Sequence, residues 1–253
     1  MGDVVRLSRH VPIFPVEREM DLGKLEETRR KSPVRIGWAA IFIKAYALVA
    51  RDRPVLRSWF VPPRVPLVGR PRWATSPVSV ASLALSRPRG EETPAADRAL
   101  DPDAIWWARI RAPDTVSLPD LQAEITRHAT APVDDVFKRQ LELRMVPRMV
   151  RRIVLRWNLR SASPRRALRL GTFSLSTLAG EGCSNRGHPT FLTTSIAYDP
   201  LDSTGRMRVT LLADHRLLDG VPAARALGAL EATLRGEISR ELVMLANAPR
   251  ASG

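Results

Sequence analysis

The chain has 253 residues, 44% of them apolar and 26% charged, and 40 Lys and Arg against 26 Asp and Glu give a formal charge of +14. That apolar share is enough to fill a core and excludes an intrinsically disordered chain. The single cysteine, Cys183, excludes an internal disulfide framework and a Cys-rich zinc site, and the four histidines (His10, His128, His188, His215) show no metal-ligand spacing.

The first residues, MGDVVRLSRHVP, lack the apolar stretch of a signal peptide, and Arg6 stands where a myristoylation signal needs Ser or Thr. A cytoplasmic protein is the expectation. Asp21 to Arg30 carries Leu22 and Leu25 on one helical face with acids ahead of bases, which predicts a short helix. Ile36, Ala40, Ile43, Ala47 and Ala50 predict a buried amphipathic helix over 36–51, closed by Asp52-Arg53-Pro54. That run is also too short, and through Lys44 too charged, to span a bilayer. Five prolines within 61–77 make this stretch loop or edge strand. Val78 to Leu85 and Ile105 to Ile110 are strand candidates, joined by a polar, exposed connection over 87–103. Ser117 followed by Pro119 opens a helix.

Residues 136–160 stand apart as a basic amphipathic insertion. Leu143, Val146, Val150, Ile153 and Trp157 form an apolar stripe, while Arg144, Arg148, Arg152, Arg156 and Arg160 form a ladder on another side. Pro147 kinks this helix or begins a new one. Between Lys138 and Arg169 there are eleven basic residues and one acid, Glu142. The simplest arrangement is a packed apolar stripe beneath a solvated arginine face. Contact with an anionic membrane surface or with an acidic acyl carrier are the alternatives. Nucleic acid is disfavoured, because no recognised nucleic-acid motif accompanies the arginines.

Three strand candidates follow, Thr172 to Leu178, Thr190 to Tyr198 and Met207 to Ala213, with a turn from Asp199-Pro200 to Gly205. An apolar-faced helix then runs from about Val221 to Arg235. No internal repeat or long linker divides the chain, so residues 1–253 read as one mixed α/β domain. The sharpest local feature is the strand ending at Asp214-His215, followed by a turn with Asp219-Gly220 and a helix. A histidine at a strand end can face a cleft on a fixed backbone, and imidazole titrates near neutrality, so His215 is the candidate base. Cys183 and His188 read as ordinary loop and turn residues.

The string Asp214-His215-Arg216-Leu217-Leu218-Asp219-Gly220 resembles the DHRxxDG signature of the acyltransferase catalytic core of 2-oxoacid dehydrogenase complexes, and its wider HxxxDG form marks chloramphenicol acetyltransferases. Gly171 to Leu178, GTFSLSTL, is similar to that family's GTFTISNLG strand, and HVPIFPVEREMDLGKLEETRR with IGWAAIFIKAYALVARDRPVLRSWF is similar to its amino-terminal strand, helix and buried helix. Only about residues 61–170 match weakly. The resemblance implies a two-layer α/β sandwich of the CoA-dependent, chloramphenicol acetyltransferase-like fold, without lipoyl or subunit-binding domains. It implies His215 as general base, Ser176 as donor to the tetrahedral oxyanion, and Asp219 and Gly220 as structural, with Arg6 or Arg9 as the carboxylate's partner. It also implies a trimer, or a multiple of trimers, with His and Ser supplied by different subunits. The substrate is CoA or acyl-CoA, a lipoyl group carried on another chain, or another carrier thioester, with dehydrogenase-complex subunits as partners. The competing readings are a non-catalytic scaffold subunit and a membrane-associated binding module.

Overall fold

The computed structural model describes residues 2–63, 70–87 and 105–247. Helix α1 spans Gly2–Ser8, strand β1 Ile13–Asp21, α2 Gly23–Lys31 and α3 Trp38–Asp52. A short hairpin, β2 (Ser58–Val61) with β3 (Arg72–Thr75), stands as a separate sheet. Strands β4 (Val80–Ser86) and β5 (Ile105–Arg111) lead to four helices: α4 (Leu118–Thr130), α5 (Val133–Val136), α6 (Lys138–Met145) and α7 (Arg148–Arg160). After α8 (Arg165–Leu170) come β6 (Phe173–Leu175), β7 (Thr194–Tyr198), β8 (Arg206–Asp214), α9 (Gly220–Thr233), a π-helical turn over Leu234–Ile238, and α10 (Ser239–Asn247). Apart from Arg87, the connection expected over 87–103 lies outside the described residues.

Six strands form one mixed sheet in the order β1-β8-β7-β6-β4-β5. The β4/β6 and β6/β7 pairs are parallel and the others antiparallel. Alternation along the strands gives the sheet two unlike faces. Ala81, Leu83, Phe173, Leu175, Ile196, Leu211 and Ala213 join the main core with α3 and α9. Every residue of α3 from Ala40 to Ala50 is buried, and each large apolar side chain so enclosed stabilises the fold by roughly 1.5–3 kcal/mol. The intervening positions include buried polar groups: Ser82 accepts from Arg109, and Ser174 donates to Ser195 at 2.6 Å.

Lys44, buried within α3, is neutralised from the far end of the chain. Its Nζ lies 2.6 Å from a carboxylate oxygen of Glu241 on α10, and the same carboxylate accepts the backbone N–H of Leu118 at the start of α4. Ser117 caps α4 by accepting from the Asp120 N–H, as its sequence position predicts. Gly171, before β6, has φ +94°, and a Cβ there would sit 3.0 Å from the Ser82 side chain, so this entry to β6 requires glycine.

The basic segment departs from the simplest expectation. Pro147 begins a new helix, α7, rather than kinking one. The apolar stripe is only partly covered: Leu143 and Val146 are half-buried, while Val150, Ile153 and Trp157 are exposed, as are Met145 and Met149 beside them. The inward side carries Arg151, whose Nε lies 2.7 Å from the Asp3 carboxylate, and the buried Asn158, which accepts from Arg169. Periodicity shows that a helix has an apolar face, but not that the rest of the chain covers it.

Candidate functional site

Strand β8 ends at Asp214, and the next residue, His215, is anchored through its backbone N–H to the carbonyl of Pro12, just ahead of β1. Its ring lies 4.8 Å from that of Phe14 in tilted contact, and the side chain is 59% exposed. The backbone is therefore fixed while the imidazole stays open to solvent. Nδ1 of His215 is 3.2 Å from a carboxylate oxygen of Asp219. The contact is an ion-pair approach without hydrogen-bond alignment; the negative charge beside Nδ1 draws the ring proton to that side and so favours Nε2 as the proton acceptor.

The carboxylate of Asp219 does not pair with an amino-terminal arginine. The Asp219 side chain is 77% exposed, and among the described residues its ion pair is with His215; neither Arg6 nor Arg9 reaches it. Asp219 also occupies the cap position of α9, where its carbonyl accepts the Ala223 N–H. The carboxylate that braces the turn is Asp214. It is 2% exposed, accepts from Nε and Nη2 of Arg216 and from the Arg216 backbone N–H, and its carbonyl receives the N–H groups of Leu217 and Leu218. The Arg216 guanidinium stacks over Phe60 at 4.5 Å. A Cβ at Gly220 would meet nothing within 4 Å, so no contact inside the described chain requires a glycine there.

Ser176 follows β6 and is half-buried, with its N–H bonded to the Ile196 carbonyl. Its hydroxyl makes no hydrogen bond among the described residues. The register separates it from His215. Leu175 is level with Ile196, and Ala197 with Thr210, so Ser176 sits level with the middle of β8 and His215 lies beyond its end. The gap is about 17 Å along the strands and about 10 Å across two strand spacings. One chain does not bring the two candidate residues together.

His188 is more than the ordinary turn residue its sequence context suggests. Its Nε2 lies 2.6 Å from Ser195 Oγ, which in turn receives the Ser174 hydroxyl. Burial pushes the imidazole down to about 4, so it is neutral at physiological pH and accepts from Ser195. The unfolded chain binds this proton near pH 6.5 and the native chain does not. Stability is therefore full above about pH 6.5 and falls as pH drops toward 4. His188→Gln should flatten the fall of the melting temperature between pH 6.5 and 4; a melting profile as steep as that of wild type would remove His188 as its source. No sequence signal marks this residue, because its partners come from β6 and β7.

No protein-family model matches the sequence, and no curated protein matches it. Solved structures do. The dihydrolipoamide acetyltransferase of Azotobacter vinelandii superposes with a TM-score of 0.63 at 18% identity, over 95% of this chain and 88% of that one. A truncated catalytic core of the 2-oxoacid dehydrogenase multienzyme complex from Thermoplasma acidophilum gives 0.63 at 15% identity, over 93% and 92%. The cubic core of a pyruvate dehydrogenase multienzyme complex gives 0.62 at 18% identity, over 95% and 88%. The chain thus has the fold of these acyltransferase cores across nearly its whole length.

Proposed function

We propose that this chain, folded as the acyltransferase core of 2-oxoacid dehydrogenase complexes, moves an acyl group between a thioester and a thiol or hydroxyl acceptor. The observation that carries the reading is His215, exposed at the strand end with Asp219 at its Nδ1 and Nε2 left free. In the Azotobacter vinelandii enzyme, roles in catalysis have been investigated for a serine, a histidine and an asparagine four residues beyond that histidine; here Asp219 has the same spacing from His215.

Nε2 of His215 removes the acceptor's thiol proton, and the thiolate attacks the thioester carbonyl. The resulting oxyanion receives a hydrogen bond from Ser176 of the partner subunit. Collapse breaks the donor C–S bond, and the departing thiolate takes the proton back from the imidazolium. A free thiol has a pKa near 8.5, so a placed base raises the thiolate fraction. The acyl carriers are CoA, a lipoyl group on another chain, or another carrier thioester. The same reading makes the active unit a homotrimer or a multiple of one, in keeping with the cubic assembly among its structural neighbours.

The distance between Ser176 and His215 gives the test. His215→Ala and Ser176→Ala should each be nearly inactive with acetyl-CoA and dihydrolipoamide. Mixed and co-refolded, they should recover about a quarter of wild-type activity, because random closed assembly gives one competent pairing in four. No recovery, or a stable and active monomer by light scattering, would sink the shared site. Retention of transfer by neither wild type nor mixture would favour the scaffold reading.

The exposed face of α7 supports a second element of the proposal, a cytoplasmic enzyme held at an anionic lipid surface. Met149, Ile153 and Trp157 project outward, bordered by the exposed Arg148, Arg156 and Arg160, which is the composition of an interfacial helix. The arginines match anionic headgroups and oppose pairing with a second copy of so basic a chain. No described helix is long and apolar enough to cross a membrane. Co-sedimentation with phosphatidylserine vesicles should fall at least about tenfold in Ile153→Glu/Trp157→Glu, since each deletion removes apolar insertion and adds a repelled charge. Equal binding by this variant, or no binding by wild type at low salt, overturns the lipid assignment; a mass change of the variant in solution would assign the face to another copy.

A further inference from the structure

Arg166, on α8, is 3% exposed, yet its side chain makes no hydrogen bond or ion pair among the described residues. Its Nε is buried and without a partner. The guanidinium stacks over Trp59 at 4.8 Å. A buried arginine is ordinarily paired, because an uncompensated charge in the interior is costly.

Arg166 lines a cavity of about 410 Å³ that also receives His10, Arg156, Arg160 and Arg216. Asp214 is the one acid in that lining, and its carboxylate is already occupied by Arg216. The cavity's walls are largely apolar, with Leu7, Val11, Leu159 and Phe191 among them, and its charged groups are N–H donors with Asp214 the one carboxylate. Two of its guanidinium groups lie over aromatic rings, Arg166 over Trp59 and Arg216 over Phe60. Each ring restrains the position of the charge above it while leaving N–H groups to donate to an anion. Burial, reinforced by the charge of Arg216 and opposed by that of Asp214, pulls Arg166 down to about 9, which leaves it cationic at neutral pH and in need of a counter-charge.

The cavity is tied to the candidate site by sequence. Arg216 is the residue after His215, and Asp214 the residue before it. An occupant of this cavity sits beside the motif that aims the imidazole.

We propose that this cavity binds an oxyanion, a phosphate or carboxylate group carried by the substrate, with Arg166 as its buried ligand and Arg160 and Arg216 at its rim. The binding site stands on its own geometry; its use as a substrate subsite rests on the acyltransferase reading above.

Calorimetric titration at fixed ionic strength tests it, with inorganic phosphate, pyrophosphate, succinate and acetate as probes. Wild type should bind at least one of these saturably at one site per chain. Arg166→Met should weaken that binding about tenfold or more, as loss of charge-assisted hydrogen bonds does, while Arg51→Met, at a solvent-exposed arginine on α3, should leave it unchanged. Without ligand, Arg166→Met should melt no lower than wild type, because it removes an uncompensated buried charge. The bound anion should raise the melting temperature of wild type and not that of the variant. If Arg166→Met does not fold, Arg160→Gln gives the same comparison from the rim.

Preference for phosphate and pyrophosphate assigns a phosphoester on the acyl carrier. Preference for succinate assigns a carboxylate on the acyl group itself. Absence of saturable binding, or binding that survives both variants, overturns the site. Kinetics separate the two proposals. Turnover of thioesters with no anion binding and no rise in KM in Arg166→Met leaves the acyltransferase standing and removes the subsite. Anion binding through Arg166 in a protein that turns over no thioester does the reverse.

Discussion

Replacing His215 with alanine is expected to lower acyl transfer by a factor of 10² or more, within the usual 10²–10⁴ contribution of a placed general base, while the protein still folds. The ring is mostly solvent-exposed and the anchor at this position is the backbone N–H on Pro12, which alanine retains. What the variant loses in the folded state is the contact with Phe14 and with Asp219. Chemistry and stability should therefore separate at this residue. The measurement is kcat for acyl transfer beside a thermal melt of the same sample. Transfer within a few-fold of wild type, with oligomeric state intact, removes His215 from the mechanism.

The neighbouring residue should behave in the opposite way. Asp214→Asn is expected to destabilise the fold by about 3–5 kcal/mol, the usual result of removing one partner of a buried ion pair. Asp214 is enclosed, and its carboxylate is the counter-charge of Arg216. Asparagine fits the space but leaves that guanidinium without its partner, near the positive charge of Arg166. For a chain of this size the melting temperature should fall by about 6–20 °C. Adding Arg216→Met to Asp214→Asn should recover part of the loss, because it removes one stranded charge. A single variant that melts within about 2 °C of wild type would show that Asp214 is not the brace of the turn.

Much of this architecture is legible in the order of residues. The apolar run of α3 and the strand, turn and helix around His215 declare themselves because their signals are local: periodicity, a proline breaker, an Asp-Gly turn. The parts that escape are set by neighbours distant in the chain. Asp214 and Asp219 are both carboxylates near one histidine, and only the direction of their side chains decides which is buried on an arginine and which is open beside the ring. His188 reads as a turn residue until β6 and β7 place Ser174 and Ser195 against it. Arg166 sits among arginines of the same basic segment, and composition does not distinguish the buried one from the solvated ones. The register of β6, β7 and β8 sets Ser176 and His215 apart, and no motif encodes a register.

The pairing of Lys44 with Glu241 has a consequence for where the chain can be shortened. Helix α10 is far from α3 in sequence, with one buried residue, Leu242. Yet a chain ending before residue 241 would strand an ammonium group in the middle of the most enclosed helix of the molecule and leave the first N–H of α4 without its acceptor. Shortening from the carboxyl terminus thus meets a threshold rather than a slope. Residues 197 apart in sequence share one charge pair, so α3 keeps its ammonium group in the interior only while α10 is in place.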